Sequence, residues 1–548
     1  MRIRLGLFLM ISALISPGLS FTQVVHQHTA PETLGSVTFM TSCSSATQPR
    51  FNRAVALMHS FQFASSIAAF DEVLGDEPSC SIAYWGIALS NWGNPFVPGL
   101  RSPEQLQRGL AAVGQARAAA PQTDRERAYI EAVAHLFTDT AKVDQRTRKL
   151  EYEEAMAALS AAYPGDIEAA IFYALSLAAA AEPTDKTYAN QLKAGAILES
   201  LFVKYPDHPG LAHYIIHTYD VAPLAGRAVL AAKRYGEIAP STPHALHMPS
   251  HTFTRVGDWQ DSIDANLASA TAARSAGQTP DELHATDYLV YAYLQTAQDN
   301  AAQPLVESTV QIFSRFDPAV SIGGAGGPSA AYFARAAIPA RYCLERRAWA
   351  DAAKLEPLVS PYPYTEAITY FARGLGAAHL NDGPAAHAAI DALAASRARL
   401  VKMKEDYWAN QVEIQRKEVS AWLAFAEGNS DRALSEMSTA ADLEDKTEIS
   451  VVTPGPIAPA RELLGELLLE LKQPSAALKE FEATLTREPN RFRSLYGAAE
   501  AAKLANDPQA SQKYFQQLLQ TTEHANLPGR EELAEARRAT RANISQPK

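Results

Sequence analysis

Lys472 to Asn490 reads KQPSAALKEFEATLTREPN, and its landmarks return 34 residues later: Pro474 falls on Pro508, Ala476 on Ala510 and Phe481 on Phe515. The unit is an apolar helix, a short turn, a small residue about four positions on, and a second helix that stops near a proline such as Pro489. A small residue lets paired helices cross closely, an aromatic such as Phe481 fills the space beside it, and proline removes a backbone donor and ends the helix. Further copies begin at Gly257 (GDWQDSIDANLASA), Glu345 (ERRAWADAAKLEP) and Glu427 (EGNSDRALSEMSTAA). Alternating Val/Ile/Thr strand patterns are scarce, so the chain reads as an all-α array of helical hairpins.

The composition agrees. Of 548 residues, 47% are hydrophobic and 20% charged, which excludes a largely disordered chain. The formal net charge is −11 and no basic block stands out, which argues against a nucleic-acid protein working by phosphate neutralisation. Gly and Pro follow no collagen-like period. Met1 to Ser20, MRIRLGLFLMISALISPGLS, has a short basic start at Arg2 and Arg4, an apolar run from Leu5 to Ile15, then Pro17 and small residues. That is the pattern of a secretory signal peptide, and the apolar run falls short of the roughly 20 residues a membrane span needs. The mature chain is therefore expected to start near Phe21, to lack a membrane span, and to be periplasmic or secreted.

Export changes how the cysteines read. Cys43 and Cys80 lie 37 residues apart, one ahead of the first helical segment and one in a turn. An oxidising compartment permits a disulfide between them; two buried free thiols are the alternative. Cys343 sits in a helical pattern and reads as a packed core thiol. No CxxC pair supports a cysteine-based zinc or redox site.

The two-helix unit with its 34-residue period resembles the tetratricopeptide repeat family over about residues 46–525, with insertions blurring the period around 96–165 and 181–200. The resemblance implies a tetratricopeptide-like α-solenoid, a right-handed superhelix of helical hairpins whose first helices line a concave groove. HYIIH, HALHMPSH, FNRAVALMHSF and AYWGIALSNWGNP are similar to segments of a bacterial group of exported tetratricopeptide proteins, which implies a compartment but no reaction. The chain then divides into a signal peptide (1–20), an N-terminal extension (21–45), a first repeat set (46–320), a Gly-rich loop (321–330), a second repeat set (331–525) and a polar tail (526–548). SIGGAGGPSAAY lacks the Lys-Ser/Thr of a phosphate loop.

Fourteen histidines are present, and seven of them fall between His208 and His284, where even scatter would put about two. LAHYIIHTYD holds His213 and His217; PHALHMPSHTF holds His244, His247 and His251. Steps of three and four put each set along one helix face. The sets are also in repeat register, since His213 plus 34 is His247 and His217 plus 34 is His251. The next hairpin, aligned at a shift of 40, places His284, Asp287 and Tyr291 on His244, His247 and His251. Pro249 should kink its helix and aim His247 and His251 at a common point.

Imidazole is the commonest metal ligand and a carboxylate can complete the set. The expected site is therefore His213, His217, His247 and His251 with Asp287, binding a divalent transition metal (zinc, copper or iron), with affinity falling as pH drops through the histidine range near 6.5. His244, His284, Asp220, Arg255 and Tyr291 are expected to line the groove beside it. Histidines hydrogen-bonded between helices are the structural alternative. A metal-free groove taking an anionic group or a peptide, with Arg255 beside the stripe, is another. There is no HExxH. His59, Tyr84, Trp85 and Trp92 read as core, Arg341 and Glu345 as a pair, and Glu462 and Glu466 as a solvated face. The function expected is a binding or assembly module that takes a peptide or protein, with a metal-dependent enzyme, hydrolase or oxidoreductase, as the alternative.

Overall fold

A computed structural model describes residues 32–97, 99–182, 184–318 and 324–544. The expected signal segment and most of the extension, residues 319–323 at the start of the Gly-rich loop and just before it, and residues 545–548 lie outside the described residues. Among the described residues there is no strand, and helices pack chiefly on their neighbours in sequence, as Trp259–Ser275 does on Thr279–Gln295 and Pro363–His379 on Gly383–Lys402. The fold is an all-α, tetratricopeptide-like solenoid.

One turn closes hairpin after hairpin. The first helix ends, a single residue takes the left-handed conformation, and the second helix begins. Arg347 (φ 53°), Asn381 (φ 57°), Lys472 (φ 60°) and Asn506 (φ 61°) hold that position. The next residue's N–H reaches back to the carbonyl five residues earlier: Ala348 to Cys343, Asp382 to Ala377, Gln473 to Leu468 and Asp507 to Ala502, each at 2.9 Å. This bond satisfies a carbonyl the helix end leaves orphaned, which offsets the roughly 1–2 kcal/mol that a left-handed non-glycine residue costs. The turn recurs from 347 to 381 and from 472 to 506, the 34-residue period. Gly257 (φ 73°) and Ala297 (φ 54°) form the same turn 40 apart.

Close crossings are made by glycine facing an aromatic. A Cβ on Gly465 would lie 2.9 Å from the Phe481 ring, and one on Gly497 would lie 2.4 Å from it. Phe481 is fully buried between these two first helices. Pro474 and Pro508 open second helices at the first turn, where a missing N–H costs nothing.

Residues from Thr33 onward form one compact unit. The segment before the first helix, Gln48–His59, is fixed across the repeats: Ser36 N–H donates to Asp207 O at 2.9 Å, and Phe39 is fully buried among Phe51, Trp85 and Tyr129. Cys43 and Cys80 form a disulfide that ties this segment to the start of helix Ser81–Trp92. Cys343 is buried and free, as expected. The tail is a helix, Glu531–Ile544, whose Leu533 and Ala536 are buried; it packs on the last hairpin instead of extending into solvent. No helix among the described residues is long and apolar enough to cross a membrane.

Two stability predictions follow from these contacts. Replacing both Cys43 and Cys80 by Ser opens a 37-residue loop. We expect a loss of about 2–4 kcal/mol, read as a lower first transition in thermal unfolding. Gly497→Ala should destabilise by about 1–3 kcal/mol through overpacking on Phe481, whereas Gly114→Ala, with nothing within 4 Å of the added Cβ, should stabilise its exposed helix by about 0.5–1 kcal/mol. Equal effects from the two substitutions would contradict the glycine–aromatic crossing.

Candidate metal centre

Four helix segments from three successive hairpins present the histidines. Helix Pro209–Thr218 bears His213 and His217; Pro243–His247 bears His244 and His247; Pro249–Val256 bears His251; Thr279–Gln295 bears His284. The expected kink at Pro249 is a break: one helix ends at His247 and the next opens on Pro249. The six rings are buried and contiguous, from His213 at one end to His284 at the other.

They fall into two groups of three, not one group of four. His213, His217 and His244 each offer a ring nitrogen, all within 4.8 Å of one another, and so do His247, His251 and His284. The expected pairings along each helix hold, but His244 and His284, expected only beside the site, complete the two groups. A third group, His59, Glu168 and His208, lies deeper and has no counterpart in the sequence expectations. There Glu168 bridges His59 Nε2 at 2.9 Å and His208 Nε2 at 3.0 Å, and Tyr214 meets His59 Nδ1 at 2.9 Å. Burial opposes the Glu168 charge, but the two imidazoles hold its carboxyl far below the carboxylate range.

The ring orientations are set from outside. His213 Nδ1–H donates to the backbone carbonyl of His59 at 2.5 Å. His247 Nδ1–H donates to Asn266 Oδ1 at 2.7 Å, and Asn266 is itself fixed by donating Nδ2–H to Ser262 O at 2.7 Å. His251 Nδ1–H donates to Asp220 Oδ2 at 2.8 Å, and the other Asp220 oxygen pairs with Arg255 Nε at 3.0 Å. Burial opposes the Asp220 charge, yet Arg255 and His251 hold its carboxyl below the usual range. With Nδ1 protonated in both His247 and His251, their Nε2 atoms are bare lone pairs, and they face each other at 3.0 Å. Two lone pairs at that distance need a cation between them, a proton or a metal ion. His284, its ring centroid 4.5 Å from that of His247, brings a third ring nitrogen within 4.8 Å of the other two, so the three could hold a metal ion. An oxygen acceptor on the far nitrogen is the usual support of a metal-ligating histidine.

Burial also disfavours the charged form of five of the six rings. It lowers His213 and His284 to about 3, with nearby imidazoles adding to the effect, and pushes His217, His244 and His247 well below 6.5. His217 stacks on Phe96, with centroids 4.4 Å apart, and neither of its buried ring nitrogens has a hydrogen-bond partner.

Other expected residues are placed elsewhere. Asp287 belongs to neither histidine group: its Oδ1 pairs with Arg341 Nε at 3.1 Å. Burial favours its neutral form, and Arg341 opposes that. Arg341 also donates to the carbonyls of Gly455 at 2.9 Å and Pro456 at 2.8 Å. Arg255 donates to Pro454 O at 2.6 Å, and Tyr288 O–H to Thr453 O at 3.1 Å. Tyr291 O–H donates to Glu488 at 2.9 Å. The segment around 451–456 therefore fills the inner face of these repeats, so Arg255 and Tyr291 are internal fasteners and not a surface for a peptide. Arg341 and Glu345 do not pair with each other, because Glu345 takes Arg491. Glu462 is buried against Arg491 instead of solvated, and burial pushes its carboxyl up to about 7.

The space left beside the histidines is small. A cavity of about 20 Å³ touches His217, His244, His251 and His284 and is roofed in part by Asn94, Ala325, Gly327 and Val451. It has room for a water or two and not for an organic substrate. Asn94, Val97, Ala325, Gly327 and Ser329 also line a neighbouring cavity of about 170 Å³, among Trp92, Tyr362, Tyr364 and Trp408. A larger concavity of about 490 Å³ lies in the C-terminal repeats among Trp349, His379, Trp422 and Tyr496.

No family model and no curated protein sequence matches the chain. In structure it is similar to the human IFIT1 dimer with PPP-AAAA, at 10% identity over 80% of this chain and 90% of that one, with a TM-score of 0.38. It is likewise similar to the APC/C hetero-tetramer Cut9-Hcn1 (13% identity, 90% of each chain, TM-score 0.32) and to yeast Tom70 (10% identity, 91% of this chain and 96% of that one, TM-score 0.35). These are tetratricopeptide-like helical repeat proteins. The assignment of the fold rests on the helix pairing and turns described above, not on these overlaps.

Proposed function

We propose that this chain is an exported, tetratricopeptide-type binding protein that holds a transition-metal ion at His247, His251 and His284. The observation that supports it is the pair of Nε2 lone pairs, each fixed by an oxygen acceptor on its far nitrogen and set 3.0 Å apart. Three neutral imidazoles suit zinc, copper or iron. The signal-like first 20 residues and the Cys43–Cys80 bridge support an oxidising, exported location. A peptide or protein partner then belongs on the C-terminal concavity, because segment 451–456 occupies the inner face at the histidines. A second reading, a metal-dependent hydrolase or oxidoreductase, is favoured by one feature: three protein ligands leave a coordination position open toward the small cavity.

Metal analysis of protein purified from its native compartment tests the reading; at least one transition-metal ion per chain is expected, and material with no stoichiometric metal would end it. His247→Ala should weaken metal binding about 100-fold or more, and Asp220→Asn about 10–100-fold by releasing His251. His387→Ala, on an exposed ring 3.4 Å from Glu427, should leave affinity unchanged in the same titration.

The pH dependence has a definite sign. Folded-state values near 3 for His213 and His284 lie below the unfolded value near 6.5. Below pH 6.5 the unfolded chain therefore takes up protons that the native site refuses. The contribution of these rings is fully present above 6.5 and is lost as pH falls toward 3, by up to about 1.4 kcal/mol per pH unit for each ring. Metal-free protein should lose several degrees of melting temperature between pH 7.5 and 5.5, and metal should restore it. A melting temperature constant over that range would mean that these imidazoles are not buried and neutral.

A further inference from the structure

We infer that His213, His217 and His244 hold a second metal ion, so that the six imidazoles form a two-copper centre that takes a small anion between its metals. This rests on the metal reading above and adds the second ion, its identity and its ligand.

The second group has its own signs of a ligand. His213 Nδ1–H is committed to His59 O, so its Nε2 lone pair points at His244 Nε2, 3.0 Å away. His217 is buried with both ring nitrogens unpartnered, and leaving a buried polar nitrogen without a partner is destabilising. A metal ion supplies that partner. The two groups touch: ring centroids are 6.0 Å apart for His217 and His251 and 6.1 Å for His244 and His247. Paired metal ions typically lie about 3.5–4 Å apart, each inside its own ligand set, and rings in contact allow that spacing.

Charge decides the metal and the ligand. All six donors are imidazoles, which bring no negative charge to the site. Two buried carboxylates near them are already paired, Asp220 with Arg255 and Asp287 with Arg341. Two divalent ions would therefore bury four uncompensated positive charges, which a low-dielectric interior strongly disfavours. The burden falls if the ions are monovalent or if an anion lies between them. Imidazole donors suit zinc, copper, iron and nickel, and of these copper is the one that is stable as a monovalent ion. The cavity of about 20 Å³ touches His217 and His244 of one group and His251 and His284 of the other, so its occupant meets both metals. Its size admits hydroxide or another small inorganic anion.

The test uses the full-length oxidised protein, stripped of metal and titrated with copper(II), with azide as the anion probe. Two coppers per chain are expected. Azide should weaken the copper paramagnetic resonance signal by coupling the ions and add a near-ultraviolet absorption band. His217→Ala should bind one copper and lose the azide response; His217→Gln, closer in volume, serves if the alanine variant does not fold. His284→Ala should likewise fall to one. One copper in the unaltered protein, unchanged by either His217 substitution, would reject the second site and leave the first standing. No copper at all would overturn the metal reading itself. Two coppers with independent signals indifferent to azide would reject the shared anion.

Discussion

Many of the hairpins here depend on a chain reversal that costs backbone strain and must be offset locally. A left-handed residue such as Asn381 or Lys472 would not persist alone. It persists because the following N–H reaches a carbonyl at the helix end that water or nothing would otherwise satisfy. The reversal sets the angle at which the second helix returns, and the angle brings glycine to the aromatic ring, as with Gly465 and Gly497 on either side of Phe481. Stacking then repeats at an interval of 34 residues in places and 40 in others, which lets first helices far apart in sequence come together.

That interval is what makes a buried polar cluster affordable. Six imidazoles in one interior would be unfavourable if each had to find its own partner. The repeat supplies the partners from the same neighbouring elements: His59 O at the end of the first helix for His213, Asn266 on a second helix for His247, and Asp220 just past a first helix for His251. Each takes the far nitrogen, so the near ones converge. Segment 451–456, pinned by Arg255, Tyr288 and Arg341, then removes solvent from the space they face. The cluster is thus built by the scaffold but sealed by a loop more than 160 residues away along the chain.

What the sequence exposes and what it hides follow from this division. The 34-residue recurrence is local patterning, so Pro474, Pro508 and Phe481 could be read directly, as could the paired stripes of histidine. Asp287 was misplaced because register was counted back from the turns at Gly257 and Ala297. Those turns are 40 apart, but His284 meets His247 at a spacing of 37. The break at Met248–Pro249 interrupts one helix, while Thr279–Gln295 runs unbroken, so equal distances from the turn do not share a face. Arg255, Tyr291 and Glu462 look like groove residues in sequence because nothing near them announces their partners Pro454, Glu488 and Arg491. Glu168, between His59 and His208, is equally silent, since its partners lie 109 and 40 residues away.

Whether such a centre only binds or also reacts depends on access. A saturated, closed set of ligands holds a metal as a structural part; an open position with a path to solvent permits exchange and chemistry. The two groups of three leave positions free, and the small cavity beside them shares Asn94, Val97, Ala325, Gly327 and Ser329 with the wider cavity. Gly326 and its neighbours are held there by Asp281, whose Oδ1 accepts from Gly326 N–H at 3.1 Å, and burial raises that carboxyl to about 7. One buried carboxyl therefore fastens this part of the roof. If metals occupy the two histidine groups, such a roof would admit a small anion more readily than an organic molecule, which would be confined to the wider cavity with Trp92, Tyr364 and Trp408.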